Sequence, residues 1–281
     1  MKLTTWNVNG LRAREGQVVE WLEREQPDVL CLQEIKATRE QVPPLLWARE
    51  GYHCAWHGGP GGYSGVALLV RRTLVPQRPV FRHPSYDHES RAITAELGPL
   101  DITALYVPNG GKDLPAKVRF LEALKADVAQ RHQGGKQLIV CGDLNVALTE
   151  RDVHPKLAKT SQLGQTAAER ALLAGVLDEG LVDLERRLHP DDAERFTWWA
   201  PWRQQREQNM GWRIDYVLAS AALASRATAC GAERLFGSSD HGPLTAVFDG
   251  PLFDAAAVPE GPPQGPQLEP TPPPAQGDLF G

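Results

Sequence analysis

The sequence predicts a mixed α and β fold organised around one catalytic domain, and three observations predict it. Short apolar runs rich in β-branched residues recur along the chain, and helical spacing fills several of the stretches between them. The polar clusters able to carry chemistry are scattered from Asn7 to His241. A single site assembled from both ends of a chain implies one cooperative unit. The length of 281 residues and a hydrophobic content of 42% suffice for a substantial core.

The elements follow in order. Lys2-Leu3-Thr4-Thr5-Trp6-Asn7-Val8 opens the chain as a strand, and Val18, Trp21 and Leu22 then fall at helical spacing. Strands are expected at residues 29–32, 65–70, 92–97, 102–107, 138–141, 214–218 and 244–248. Val118, Leu121, Leu124 and Val128 mark a second helix, and Thr166-Ala167-Ala168-Glu169 has the form of a capping box opening a third. Residues 3–8 and 138–145 echo each other, each a strand emptying into an Asn-bearing loop. Past residue 250, prolines interspersed with Gly and Gln predict an extended, disordered linker over 251–275, leaving 1–250 as the catalytic domain.

A formal net charge of −5 argues at first against a nucleic-acid partner, for which a basic footprint is expected. Four of those negative charges, Asp254, Glu260, Glu269 and Asp278, lie in the tail, which has no Lys or Arg. The body is therefore near neutral, and DNA is not excluded. Cys31, Cys54, Cys141 and Cys230 form no C-x-x-C pair. Cys31 and Cys141 sit in apolar runs and read as buried thiols in a reducing cytoplasm. No basic segment followed by an apolar stretch opens the chain and no apolar run reaches spanning length, so neither export nor membrane insertion is expected. A monomer is the default.

Five polar clusters close apolar runs: Trp6-Asn7-Val8-Asn9-Gly10, Leu32-Gln33-Glu34, Gly142-Asp143-Leu144-Asn145, Arg213-Ile214-Asp215-Tyr216 and Ser238-Ser239-Asp240-His241. Carboxylates and amides at strand ends suit a hard cation such as Mg²⁺, with Mn²⁺ as a substitute. Glu34 follows a strand that can aim it into a cleft. Asp143 and Asn145 flank Leu144 and point to one side of an extended backbone, although Gly-Asp-x-Asn is also turn chemistry. His241, with Asp215 on its far nitrogen, offers proton handling. Whether His241 or Asp143 is the general base stays open at this level, because close ionisable groups titrate together. Asp143 is the favoured base and His241 the phosphate-binding donor.

In this order the clusters resemble the exodeoxyribonuclease III family of abasic-site endonucleases, within the endonuclease-exonuclease-phosphatase superfamily. The resemblance spans roughly residues 1–249. It implies a four-layer α-β-β-α sandwich, with two packed, mainly antiparallel sheets flanked by helices and catalytic loops at one edge. It implies a metal set of Glu34, Asn7, Asp143, Asn145 and Asp240, a water-activating Asp143, a transition-state-stabilising Asn145 and a phosphate-contacting Tyr106. Asn9 stands where many eukaryotic members have Asp, which puts a two-metal scheme in doubt. Lys112 stands where some have Arg, so a point charge replaces a bidentate fork.

Relatives of this kind act on DNA, phosphoinositides or sphingolipids, so substrate class must come from elsewhere. The segment from Phe196 to Arg213 gathers Trp198, Trp199, Trp202 and Trp212 with Arg203, Arg206 and Arg213. Flat apolar walls suit an extruded deoxyribose and basic residues suit the backbone around it. By the resemblance Trp198, Trp212 and Ile214 line the pocket for a base-less sugar. Arg91 also matches a family position but reads as a structural ion pair. The implied function is Mg²⁺-dependent cleavage of DNA 5′ to abasic sites, with 3′-end trimming. A phosphatase of small or lipid phosphates and a catalytically dead DNA- or clamp-binding scaffold are the rival readings. The chain ends Gln276-Gly277-Asp278-Leu279-Phe280-Gly281, similar to the bacterial sliding-clamp binding pentapeptide at Gln276, Asp278, Leu279 and Phe280. A nucleoid-associated enzyme is expected.

Overall fold

In each central strand, successive side chains face two different apolar layers, which is why these strands read in sequence as unbroken apolar runs rather than alternating ones. Val29 and Cys31 enter one buried cluster while Leu30 and Leu32 enter another. Likewise Ile102 and Ala104 face inward between the sheets and Leu105 faces out to the helices. The computed structural model describes residues 1–263.

The first sheet holds β1 (Lys2–Asn7), β2 (Val29–Gln33), β3 (Tyr52–His57), β4 (Val66–Arg71), β11 (Ala227–Ala232) and β12 (Leu244–Phe248). The second holds β5 (Val80–Arg82), β6 (Ala92–Leu97), β7 (Leu100–Tyr106), β8 (Gln137–Asp143), β9 (Leu181–Asp183) and β10 (Asp215–Ser220). Their orders are β11-β12-β1-β2-β4-β3 and β5-β6-β7-β8-β10-β9. Among the described residues only β1–β2 and β7–β8 pair in parallel, and each pair is bridged by a helix, Glu15–Glu25 in the first case and Leu114–Gln133 in the second. One apolar cluster fills the space between the sheets, a second lies under Glu15–Glu25, and a third lies under Leu114–Gln133 and Ala167–Leu177. This is the expected four-layer arrangement of two mainly antiparallel sheets. Thr166 caps the helix Ala167–Leu177, reciprocated by Glu169.

Three expectations are corrected. The two halves do echo, but the matching crossovers make β1 equivalent to β7 and β2 to β8, not β1 to β8. Four strands were illegible: β5, β9 and β11 are short or partly exposed, and β3, although buried throughout, is interrupted by His53 and His57 and so lacks a continuous apolar run. The chain also stays packed past residue 250. Leu252 and Phe253 rest on the inter-sheet cluster, Val258 is buried, and Gly261 N donates to Arg78 O at 2.7 Å. A few apolar side chains among the prolines suffice to hold 251–261 against the body. The remainder of the expected linker and the Gln276–Phe280 peptide lie outside the described residues.

Candidate active site

The parallel pairs set the site. β1 and β2 end on Asn7 and just before Glu34, β7 and β8 end on Tyr106 and Asp143, and antiparallel β10 begins at Asp215, so all five residues emerge at one edge of the packed sheets. His241 arrives in the loop before β12. The loops are held in uncommon backbone geometry: φ is +48° at Glu34 and Lys36, +53° at Asn145 and +43° at Asn9. Left-handed Asn is tolerated, whereas Glu and Lys there store strain typical of functional loops. Glu34 is fixed on either side by Gly10 N donating to its carbonyl at 2.8 Å and by Ile35 N donating to Gly65 O at 3.1 Å. Gly142 is obligatory, since at φ +137° a Cβ would lie 1.9 Å from Leu105 O.

Asn7 Oδ1 accepts the Asn9 backbone N–H at 2.9 Å, which fixes the amide so that its Nδ2 donates to Glu34 Oε1 and to Asp143 Oδ2, both at 2.9 Å. Asn7 therefore braces the two carboxylates of Glu34 and Asp143. Asn145 Nδ2 donates to Val107 O at 2.8 Å and to Asp143 Oδ2 at 3.3 Å, while Asp143 Oδ1 accepts Asn145 N at 2.9 Å. Its amide hydrogens are thus already directed at protein acceptors. Asp240 also has other work: Oδ1 accepts from Asn9 Nδ2 and Oδ2 from Trp198 Nε1, each at 2.9 Å. It stands outside the group of Glu34, Asp143 and His241, whose ligating atoms lie within 4.8 Å of one another.

His241 is 4% exposed. Its Nδ1 lies 2.8 Å from Asp215 Oδ2, and its Nε2 faces Asp143 Oδ2 at 3.8 Å. Burial works against charge on this imidazole, but the carboxylates of Asp215 and Asp143 push its pKa up to about 10. Asp143 is pushed up to about 7, first by burial and then by Asp215 and Glu34, against the opposing charge of His241. Burial raises Glu34 too, yet the Asn7 hydrogen bond and Lys36, 2.7 Å from Oε2, leave it below the usual range. Burial and the nearby charges of Glu34 and Asp143 hold the Tyr106 phenol protonated, so it is a donor. The buried carboxylates of Asp143 and Asp215 and the half-buried one of Glu34, gathered about one imidazole, form a site that a divalent cation would relieve, and oxygen donors fit a hard ion.

A cavity of about 320 Å³ opens on these groups, walled by Trp198, Trp212, Ile214 and Leu163. The two indoles meet edge to face at 5.4 Å, and Trp212 and Ile214 also pack with Ala147 and Val153. Trp199 is core and Trp202 is exposed. The basic residues of this segment mostly do not face outward. Arg213 is 1% exposed and paired with Asp152 and Asp183, and Arg206 donates to the carbonyls of Arg234, Phe236 and Ser239. Only Arg203 is exposed. Each of the other two is drawn in by an acceptor set distant in sequence.

A groove of about 580 Å³ adjoins the cavity, lined by Lys112, Arg91, Lys36 and Tyr63 among others. Arg91 pairs with Glu89 at 2.6 Å and lies 4.7 Å over the Tyr106 ring. Lys112 Nζ is 5.6 Å from the Tyr63 ring. Lys36, Tyr63 and Leu163 did not emerge from the sequence, although Lys36, two residues after Glu34, carried a signal. A second layer also escaped: Lys117 Nζ donates to Asn145 O at 2.8 Å and pairs with Glu169 at 2.6 Å.

The sequence profile described as the Endonuclease/Exonuclease/phosphatase family matches residues 4–241. The chain is 32% identical over 255 residues to the exodeoxyribonuclease of Bacillus subtilis, covering 89% of this chain and all of that one. It is also 32% identical over 255 residues to Recombination repair protein 1 of Drosophila melanogaster, covering 89% of this chain but 37% of that longer protein. Among solved structures, an AP endonuclease from Archaeoglobus fulgidus superimposes with a TM-score of 0.78 at 31% identity, covering 89% of this chain and 100% of that one.

Proposed function

Because the chain belongs to the endonuclease/exonuclease/phosphatase family, in its exodeoxyribonuclease III and AP endonuclease branch, we propose that it is a DNA repair nuclease cleaving 5′ to abasic sites and trimming 3′ ends. One observation carries the substrate class. The Asp143–His241–Asp215 relay opens directly into a small cavity walled by two indoles and two aliphatic side chains. The indoles and aliphatic side chains give an extruded, base-less sugar flat apolar walls beside the polar groups Glu34, Tyr106, Asn145 and Asp240.

The chemistry depends on a divalent metal, and Mg²⁺ is the ion proposed, with Glu34 and Asp143 as its carboxylate holders. When bound, it supplies charge neutralisation to the phosphate and the departing 3′ oxygen. Asp143, facing His241 at 3.8 Å, accepts the proton of the attacking water. His241, kept charged by Asp215, donates through Nε2 to a phosphate oxygen, and Tyr106 donates a second hydrogen bond. Asn7 and Asn145 hold the carboxylates in place. Lys112 and Arg91 flank the DNA backbone.

A 5′-labelled duplex bearing one abasic-site analogue, incubated with Mg²⁺ or EDTA beside Asp143→Asn and an undamaged duplex, tests the reading. Metal- and Asp143-dependent incision immediately 5′ of the lesion is expected. Degradation of the undamaged 3′ end without incision would move the assignment to a dedicated exonuclease.

The proposal extends to the tail. Gln276, Asp278, Leu279 and Phe280, after a proline-rich stretch, have the pattern of a sliding-clamp ligand, and tethering would raise the local concentration at replicating DNA. Leu279→Ala with Phe280→Ala should abolish clamp binding and spare turnover. Among the described residues no helix is long and apolar enough to cross a membrane. A monomer acting at the nucleoid is the proposed state.

A further inference from the structure

A second convergence of ligating side chains lies apart from the catalytic cluster. β3 ends on His57, His83 follows β5, and Asp87 sits in the loop before β6. Their ligating atoms lie within 4.8 Å of one another. His57 and Asp87 are fully buried, with His57 Nε2 2.7 Å from Asp87 Oδ2. The His83 ring stacks on that of His57 at 4.9 Å, and its Nδ1 is buried without a hydrogen-bond partner. An imidazole nitrogen in that state costs free energy unless something else satisfies it.

We propose that His57, His83 and Asp87 form a binding site for a borderline transition-metal ion of the Zn²⁺ class, separate from the hard-cation site. Two imidazoles and one carboxylate are a ligand set for Zn²⁺, Co²⁺ or Fe²⁺, not for Mg²⁺. The carboxylate is already braced as such ligands require: Asp87 Oδ1 accepts Arg91 N at 2.8 Å and Oδ2 accepts Ala92 N at 3.2 Å. His83 is held neutral by burial and by the neighbouring His57, leaving a lone pair for an ion. Bond lengths near 2.0–2.2 Å place tetrahedral ligand atoms roughly 3.4 Å apart. The His57–Asp87 contact therefore opens by about 0.7 Å while the half-buried His83 closes in, both within side-chain freedom. An ion there would pin the loop that carries Arg91, whose guanidinium covers Tyr106.

The test uses untagged, full-length protein loaded with excess Mg²⁺ so that the catalytic site is occupied. Equilibrium dialysis against Zn²⁺ with elemental analysis should give one Zn²⁺ per chain. His83→Gln should weaken it by about tenfold or more, while His83→Cys, which restores a zinc ligand, and Glu34→Gln should retain it. Mg²⁺-supported turnover of His83→Gln on abasic DNA should match the parent, and its circular dichroism should be unchanged. Absence of Zn²⁺ uptake by the parent, unchanged uptake by His83→Gln, or loss in Glu34→Gln would each overturn the site.

Discussion

Removing the ammonium of Lys117 should damage both stability and catalysis, and the structure sets the size of each effect. Lys117 and Glu169 are buried, 2.6 Å apart, and Lys117 Nζ also holds Asn145 O at 2.8 Å and Asn109 O at 3.4 Å. Lys117→Met would leave a buried carboxylate without its counter-ion, a defect that costs about 3–5 kcal/mol. Glu169 keeps the N–H of Gly164 at 2.8 Å and the Thr166 hydroxyl at 2.6 Å, so about 3 kcal/mol is expected. For a chain of this size that is a fall in Tm of roughly 6–10 °C. Adding Glu169→Gln removes the orphaned charge and should restore about 1–2 kcal/mol. Because two catalytic-loop carbonyls lose their shared anchor, kcat on abasic DNA should also drop, on the order of tenfold, with KM little changed. Urea unfolding of the parent, both single variants and the double variant, with steady-state kinetics on each, reads all of this. A loss under about 1 kcal/mol in Lys117→Met, or a double variant worse than the sum of the singles, would refute the reasoning.

Gly142→Ala should fail to fold, since its Cβ would strike Leu105 O at 1.9 Å. Gly16→Ala, in the helix Glu15–Glu25 with open space around it, should gain about 0.5–1 kcal/mol; soluble expression and thermal melting compare the two. Asp215→Asn should lower the His241 pKa towards 6.5, because Asp215 supplies the largest upward push; the alkaline limb of kcat/KM should move to lower pH, and an unmoved limb would place another group there. Burial raises Glu169, but the Lys117 and Thr166 hydrogen bonds leave its carboxyl below 4.5. Its contribution is therefore present above pH about 4.5 and lost as pH falls through the lower folded value. Lys117→Met should show a shallower acid limb in pH-dependent melting. EDTA should abolish cleavage while leaving the melting transition of the catalytic domain in place.

The sequence by itself determined the strands buried on both faces, because an unbroken apolar run such as Val29-Leu30-Cys31-Leu32 needs no tertiary information to be read. It also singled out the polar residues beside such runs: Glu34, Tyr106 and Asp143 close or follow one, whereas Asp215 and His241 stand at the start of or just before one. Thr166 and Glu169 announced a helix start because a capping box is a local, four-residue interaction. What it left undecided depends on contacts between residues far apart in the chain. Asn7 became a brace because Asn9 N fixes its amide against Asp143, 136 residues away. Asp240 became the anchor of Trp198, and Arg213 was drawn inward by Asp152 and Asp183 instead of facing DNA. The Lys117–Glu169 pair beneath two catalytic loops likewise has no local signature. Residue type and strand position specify which groups reach the active edge, but hydrogen-bond direction and charge partner, and hence each group's role, exist only once both sheets are packed.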